Sequence, residues 1–244
     1  MDTRARPRQP RPSGVSAADY QVLERLPLFA GLSRDNLEHL LADAWVHGFA
    51  RGSVLFIQED PAERFFVIFD GWVKLFRATA EGDESVISIF TRGESFAEAA
   101  IFDKGVYPVS AATVSESRLL VIPAESFMRR LRENGGYALN MMASMSRHLR
   151  SLVRQIEQLS ARSSTERLAG FLLRLCKDED KTAVVRLPLE KALIAGRLGM
   201  QPETLSRSLK KLQRLGVSST RGEVVIADVA ALRAFSEGED REGL

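Results

Sequence analysis

Residues 200–216, MQPETLSRSLKKLQRLG, form the stretch that decides how the last third of this chain folds. Pro202 fits the first position of a helix, where its missing N–H costs nothing, and Gln201 precedes it. Leucines recur with helical spacing and predict a buried stripe at Leu205, Leu209 and Leu212. The other side of this helix carries an acid, a hydroxyl and three cations, namely Glu203, Ser206, Arg207, Lys210 and Arg214. Such an exposed face needs an explanation beyond packing.

A second helical period, LEKALIAGRLG, comes immediately before this stretch. Its inward positions are expected at Ile194, Ala195 and Leu198. Gly199 lets the chain turn in the left-handed region, so the two periods predict a helix-turn-helix whose second helix enters the major groove of DNA. In that setting Arg207 donates two hydrogen bonds to guanine O6 and N7, and Glu203 accepts one from cytosine N4. Later Lys and Arg side chains meet phosphates.

The alternative is a solvated helix face on which Glu203 and Arg207 pair at (i, i+4), worth a few tenths of a kcal/mol. The following residues, VSSTRGEVVIAD, favour DNA instead, because they predict a tight hairpin that turns at Arg221 and Gly222. Asp228 then caps a last helix, VAALRAF. We therefore expect a winged helix-turn-helix that binds double-stranded DNA. The residues expected to contact DNA are Gln201, Glu203, Thr204, Ser206, Arg207, Lys210, Lys211 and Arg221.

The first half of the chain has a different pattern of apolar and polar residues. From residue 45 to residue 122, short runs that alternate apolar and polar residues are separated by glycine turns such as RG at 51, DG at 70, EGD at 81 and RGE at 92. This pattern predicts an antiparallel sandwich or barrel. A short helix, SRDNLEHLLAD, is expected before it with Ser33 as its cap, and another, AESFMRRLRENGG, after Pro123, ending at Gly135 and Gly136.

Residues 137–159 contain neither proline nor glycine and predict one long helix. Its apolar positions follow each other with gaps of 3, 4, 3, 4 and 3, at Met142, Met145, Leu149, Leu152, Ile156 and Leu159. This is the a/d seam of a coiled coil. A helix that packs on its own domain is the alternative, but the stripe is narrow and charged residues flank it, which favours a partner helix. We expect these six residues to form a homodimer interface.

Together these segments predict an α+β chain with an N-terminal antiparallel β-roll, a long dimerisation helix and a C-terminal winged helix-turn-helix. The expected boundaries are a disordered basic arm at 1–14, the roll at 15–134, the dimerisation helix at 135–162 and the DNA-binding domain at 163–244. The last boundary rests on SSTE, residues 163–166, which has the spacing of a capping box. The arm carries four arginines among three prolines and lacks the apolar core of a secretion signal.

Composition excludes several classes of protein. The single cysteine, Cys176, excludes an intramolecular disulfide framework and any iron–sulfur cluster or four-cysteine zinc site built from one chain, and it favours a reducing cytoplasm. No apolar run approaches 18 residues, so a membrane span is not expected. The predicted strands, between residues 45 and 122, contain one histidine, His47, and the sequence shows no nucleophile–base constellation, so we do not expect an enzyme. Net charge is only +2, but residues 165–235 hold 13 Lys and Arg against 8 Asp and Glu.

The order of these parts resembles the catabolite activator / fumarate–nitrate regulator (CRP/FNR) family of bacterial transcription factors. The resemblance covers about residues 27–235 and rests on GWVKLFRATAEGDESVISIFTRGESFAEAAIF and on ETLSR. It implies a cytoplasmic homodimer that binds a palindromic site and works with RNA polymerase. The pattern Glu-Thr-x-Ser-Arg is similar to the fumarate–nitrate branch, which implies half-sites of the TTGA type.

The sensor departs from the cyclic-nucleotide-binding relatives. In those proteins a glutamate binds the ribose and an arginine about ten residues later neutralises the phosphate. Glu98 matches the glutamate, but the position of the arginine falls on Tyr107, which Pro108 follows. A buried phosphate without a guanidinium loses a bidentate pair, so cyclic AMP is not expected. The iron–sulfur branch needs an N-terminal cysteine cluster, which this chain lacks.

The segments FAEAAIF, VYPVSAATV and MQPETLSR resemble the dissimilatory nitrate respiration regulator (DNR) branch, which implies haem b and nitric oxide as the effector. The chain has three histidines, each of which is either an axial ligand of the haem or an ordinary packing or surface residue: His39, His47 and His148. The sequence does not choose between these roles, so no metal ligand is assigned. Three methionines near the start of the long helix either pack in the coiled-coil seam and the core or line an effector pocket: Met141, Met142 and Met145. The residues expected around an effector are Phe96, Glu98, Ala99, Tyr107, Pro108, Met142 and Met145. A regulator of another small molecule, or a nucleotide-like module that regulates a protein partner, are the alternatives.

Overall fold

The computed structural model describes residues 12–78, 84–103, 105–159, 163–176, 181–187, 191–220 and 222–237, with backbone only at 151–159. The chain divides into two compact units, Met1–Val153 and Arg154–Leu244. This division falls inside the long helix, whereas the sequence placed the start of the DNA-binding domain at residue 163. Residues 1–11 of the expected disordered arm lie outside the described part, but its last residues are ordered. Ser13 pairs with the start of the roll through its N–H to Ala44 O, 2.9 Å, and its C=O to Val46 N, 2.9 Å.

The predicted roll is confirmed as two antiparallel four-stranded sheets. Its strands are β1 (Trp45–Phe49), β2 (Val54–Phe56), β3 (Arg64–Asp70), β4 (Trp72–Ala78), β5 (Glu84–Thr91), β6 (Ser95–Phe96), β7 (Ser110–Thr113) and β8 (Ser117–Pro123). One sheet has the order β1-β8-β3-β6 and the other β2-β7-β4-β5. Gly71 makes the turn between β3 and β4 with φ +93°, and a Cβ there would lie 2.5 Å from Glu116 O. Only glycine fits this turn.

Strand β3 separates two apolar cores because it is buried on both faces. Phe65, Val67 and Phe69 face the helices, while Phe66 and Ile68 face the interior of the roll. Side chains alternate between the faces of a strand, so one run, RFFVIFD, supplies both cores. The first core also takes in the helical residues Phe127, Tyr137 and Met141, among others.

The helices of this unit are α1 (Ala17–Arg25), α2 (Arg34–Leu40), α3 (Glu98–Phe102), α4 (Ala124–Glu133) and α5 (Gly135–Leu159). Ser33 caps α2 as predicted, accepting from Asn36 N. Helix α4 was expected to end at Gly135 and Gly136, but it ends at Glu133, because α5 already begins at Gly135. Asn134 alone breaks the helical path, and its Oδ1 accepts from Gly136 N at 3.1 Å, which starts the next helix at once.

The second unit contains α6 (Ser164–Leu175), β9 (Ala183–Arg186), α7 (Lys191–Arg197), α8 (Pro202–Leu212), β10 (Val217–Thr220), β11 (Glu223–Ile226) and α9 (Val229–Glu237). The capping box at Ser163 and Glu166 is present, as is the Asp228 cap of α9, through Ala231 N at 2.9 Å. The sequence predicted a wing of two strands. The wing has three, because β9 pairs with β11 and gives the order β10-β11-β9. Val224 and Ile226 of β11 are buried.

A bidentate ion pair joins α1 to β8. Arg118 Nη1 and Nη2 lie 2.7 Å from Asp19 Oδ1 and Oδ2, and Nη2 also donates to Gly14 O at 3.2 Å. The Asp19 side chain is 8% exposed and that of Arg118 40%. Burial raises the pKa of Asp19, but hydrogen bonds from Arg118 and Ser16 together outweigh it, so the pKa falls from 3.8 to about 2.

We expect Arg118→Met to lower the free energy of unfolding at pH 7 by about 1–2 kcal/mol, discounted for the exposed guanidinium. Because the pKa of Asp19 is lowered in the folded state, its contribution is complete above about pH 4 and disappears as the pH falls through about 2. Urea unfolding of both proteins between pH 7 and pH 2.5 measures this. The exposed pair of Arg64 and Glu63, 3.5 Å apart, supplies the control Arg64→Met, which should change little. A stability gap for Arg118→Met that stays constant down to pH 2.5 would contradict the assignment.

Candidate functional site

The turn before α8 has the geometry that the sequence predicts. Gly199 has φ +61°, in the left-handed region, and Met200 N donates to Ala195 O at 3.0 Å. Gln201 stands at the N-cap in an extended conformation without a side-chain capping bond, and Pro202 follows at the first helical position. The helix therefore starts abruptly after a tight turn, as a helix-turn-helix requires.

The buried side of α8 fixes which residues face outward. Leu205 and Leu212 are buried and Leu209 is half-buried. Ser208, which the sequence did not single out, is also buried, and Thr165 Oγ1 of α6 lies 3.5 Å from its Oγ. The exposed residues of the predicted DNA face are Gln201, Glu203, Ser206, Arg207, Lys210 and Lys211, while Thr204 is half-buried. Arg221 lies outside the described residues.

The acid and the guanidinium of this face do not neutralise each other. Within the described residues no ion pair joins Glu203 to Arg207, so the surface pair that the sequence allowed is not formed. Instead Arg207 Nη2 donates to Thr204 Oγ1 at 3.4 Å. With Lys210, Lys211 and Arg214 also exposed, the face carries four cations and one acid, which suits a polyanion.

The interior of the roll is filled by aromatic rings. The ring of Tyr107 stacks on Phe56 with 3.7 Å between centroids, and Phe96 stacks on Phe66 at 5.1 Å. The Tyr107 hydroxyl donates to Arg64 O at 2.7 Å and accepts from Arg64 N at 3.3 Å. Burial raises the pKa of Tyr107, so the hydroxyl stays neutral. Tyr107 therefore occupies its position as a packed residue whose polar atom is already satisfied.

Glu98 is the other notable residue of this region. It opens α3 after Ala97, which adopts the left-handed region with φ +69° although it is not glycine. Glu98 Oε1 accepts from Ser95 Oγ at 3.2 Å, whereas Oε2 is buried and has no hydrogen-bond partner within the described residues. An unpaired buried carboxylate oxygen is costly, which marks this atom as an acceptor for a ligand or water. Ala99 and Pro108, also expected in the pocket, are exposed.

The long helix α5 has two different sides. Tyr137, Met141 and Ser144 are buried against their own unit. The predicted seam residues Met142, Met145 and Leu149 are instead 57%, 53% and 62% exposed in the single chain. The side chains of Leu152, Ile156 and Leu159 lie outside the described part of the structure. The three methionines thus divide between core, for Met141, and an uncovered stripe, for Met142 and Met145.

Both halves of the chain match known protein families. Residues 46–134 match the cyclic nucleotide-binding domain family, and residues 166–235 match the Crp-like helix-turn-helix domain. A Ruegeria pomeroyi DSS-3 protein, provisionally named a cyclic nucleotide binding protein, is 41% identical over 89% of this chain and 96% of its own, with a TM-score of 0.82. The chain belongs to the CRP/FNR family of transcription regulators.

Two other members of the CRP/FNR family share less sequence with this chain. DNR from Pseudomonas aeruginosa is 32% identical over 91% of this chain and 99% of its own, with a TM-score of 0.56. The cyclic AMP receptor protein of Thermus thermophilus is 28% identical over 87% of this chain and 97% of its own. The family is not enzymatic, and DNA binding and dimerisation are typical of it. All predicted DNA contacts fall within the Crp-like match, and Phe96 to Pro108 fall within the nucleotide-binding match.

The described residues do not fit a haem in the roll interior. None of the histidines belongs to the aromatic cluster: His47 and His148 are exposed, and His39 Nδ1 lies 3.2 Å from the Tyr137 hydroxyl in the other core. Tyr107, whose pKa burial raises, is a poor source of a phenolate ligand. In the part of the chain that the structure describes, no cluster of three or more His, Cys, Asp or Glu could hold a metal ion. None of the described helices is both long and apolar enough to cross a bilayer.

Proposed function

We propose that this CRP/FNR regulator is a homodimer that reads a palindromic DNA site with half-sites of the TTGA type. The exposed and unneutralised face of α8 is the observation that carries this proposal. Arg207 is assigned to the guanine of each half-site through O6 and N7, and Glu203 to the cytosine of the facing strand through N4. Ser206 lies beside them, and Lys210 and Lys211 are assigned to phosphates.

The uncovered stripe of α5 supports the homodimer. Apolar side chains that are more than half exposed at heptad spacing are stabilised when a second copy covers them. A two-fold pair of recognition helices about 34 Å apart matches two half-sites one helical turn apart. RNA polymerase is the further partner that the family resemblance suggests.

The β-roll is proposed as the sensor that controls this dimer. Tyr137, Met141 and Ser144 anchor the start of α5 on the core shared with the roll, so a change in roll packing reaches the seam directly. An effector shifts the dimer between a binding and a non-binding arrangement only by its differential affinity for the two. The hinge is assigned to residues 160–165, of which 160–162 lie outside the described part.

For the effector, the orphaned Glu98 Oε2 favours a small organic molecule with a hydroxyl or amine donor. Cyclic AMP is disfavoured, because Tyr107 fills the position at which relatives carry the arginine for the phosphate. Nitric oxide bound through haem b, which the sequence resemblance to DNR implies, is the alternative effector. The exposed side chains of α5 that could ligate iron are Met142, Met145 and His148.

We expect Arg207→Ala to cost about 1–3 kcal/mol on a TTGA-type palindrome and to relax the preference for guanine, because a bidentate base contact is lost. Lys210→Ala, the matched control on the same face, should weaken all duplexes similarly and reduce the slope of log K against log salt by about one. Fluorescence anisotropy at several salt concentrations measures both. If the two variants lose the same affinity on every duplex and show the same salt slope, Arg207 does not read a base.

We expect Leu149→Glu to convert the dimer to monomers, because two carboxylates would be buried in the seam without partners. The dissociation constant should rise by about 100-fold or more. Ala143→Glu adds the same charge at an exposed position on another side of α5 and should leave the dimer intact. Sedimentation equilibrium distinguishes the two. A dimer that survives Leu149→Glu would place the interface elsewhere.

We expect the protein, purified without oxygen and supplied with haem, to show no stoichiometric Soret band, since the described residues of the roll interior include no His, Cys or Met and only the packed Tyr107 as a candidate ligand. Absorption spectra before and after nitric oxide provide the measurement. A stoichiometric band that shifts with nitric oxide would overturn the organic effector and establish haem.

A further inference from the structure

Thr204 occupies a particular place on the recognition helix. It precedes Arg207 by three residues, so the two side chains lie on neighbouring parts of one helix surface. Thr204 is half-buried, between the buried stripe that contains Leu205 and the exposed face that contains Glu203. Its Oγ1 accepts a hydrogen bond from Arg207 Nη2 at 3.4 Å.

This contact matters because an arginine side chain has many rotamers. Bidentate recognition of guanine needs one particular orientation of the planar guanidinium, and ordering it during binding reduces affinity. Glu203, one turn earlier, is a possible anchor, but no ion pair joins it to Arg207. Within the described residues Arg207 has no ion pair at all, so the Thr204 hydroxyl is the contact that restrains it. Threonine is suited to this because branching at Cβ restricts its χ1 angle.

We propose that Thr204 is a positioning residue whose hydroxyl orients the Arg207 guanidinium for guanine before DNA arrives. This inference rests on the proposed base reading by Arg207. If it is correct, Thr204 contributes to the sequence specificity of the protein. It does so without contacting a base itself. A direct contact of the same hydroxyl with a phosphate is the competing role, which carries no preference for sequence.

The test uses the full-length protein and two duplexes, a TTGA-type palindrome and the same palindrome with the guanine of each half-site replaced by adenine. Thr204→Val keeps the branched shape and removes the hydroxyl, while Thr204→Ser keeps the hydroxyl. We expect Thr204→Val to lower the preference for the guanine duplex by about threefold to tenfold, the value of one modest hydrogen bond. Affinity for the adenine duplex and the salt slope should not change, and Thr204→Ser should restore most of the preference.

A double-mutant cycle completes the test. In the Arg207→Ala background, Thr204→Val should cause no further loss of preference for the guanine duplex, because the hydroxyl acts only through the guanidinium. Equal loss on both duplexes with an unchanged salt slope would establish a phosphate contact, since a neutral hydroxyl releases no counterion, and would overturn the proposal. Loss of preference in Thr204→Ser equal to that in Thr204→Val would indicate packing alone and also overturn it. If Arg207→Ala itself leaves the guanine preference unchanged, the proposed base reading fails, and the role of Thr204 fails with it.

Discussion

The packing of one side of α8 is the constraint on which the DNA-binding half of this protein depends. Leu205 and Leu212 are fully buried, each worth about 2 kcal/mol of apolar burial, and Ser208 lies against Thr165 of α6. A helix that is fixed on this side has no freedom to rotate. Glu203, Arg207 and Lys210 face solvent as a consequence, and they can enter a groove without any rearrangement of the second unit.

The packing of the roll depends on strand β3 in a comparable way. Because β3 is buried on both faces, its residues build the core against the helices and the core between the sheets at once. The second core is closed by aromatic rings, and Tyr107 contributes both its ring and its hydroxyl to it. Glu98 lies within the match to the cyclic nucleotide-binding domain, and the position to which the family resemblance assigns an arginine is occupied by the packed Tyr107.

Much of this architecture could be predicted from local sequence, and the exceptions share a physical cause. The start of α8, the left-handed Gly199, the capping box at Ser163 and the Asp228 cap are set by residues within one or two turns. Strand β9 was missed because AVVR is too short for periodicity and is stabilised by pairing with β11, about 40 residues later. Helix α1 was missed because its capping box uses Asp19 where glutamate is the usual signal. The filling of the sensor core could not be predicted, since the Tyr107 hydroxyl binds Arg64, 43 residues away.

The most direct test of the account is a comparison of two duplexes of equal length and composition, one a TTGA-type palindrome with half-sites one helical turn apart and the other scrambled. Anisotropy titration with a stoichiometric endpoint gives affinity and the number of chains bound. We expect two chains on each palindrome and an affinity on the order of 10³-fold higher than for the scrambled duplex. Equal affinity for the two duplexes, or one chain for each palindrome, would contradict it.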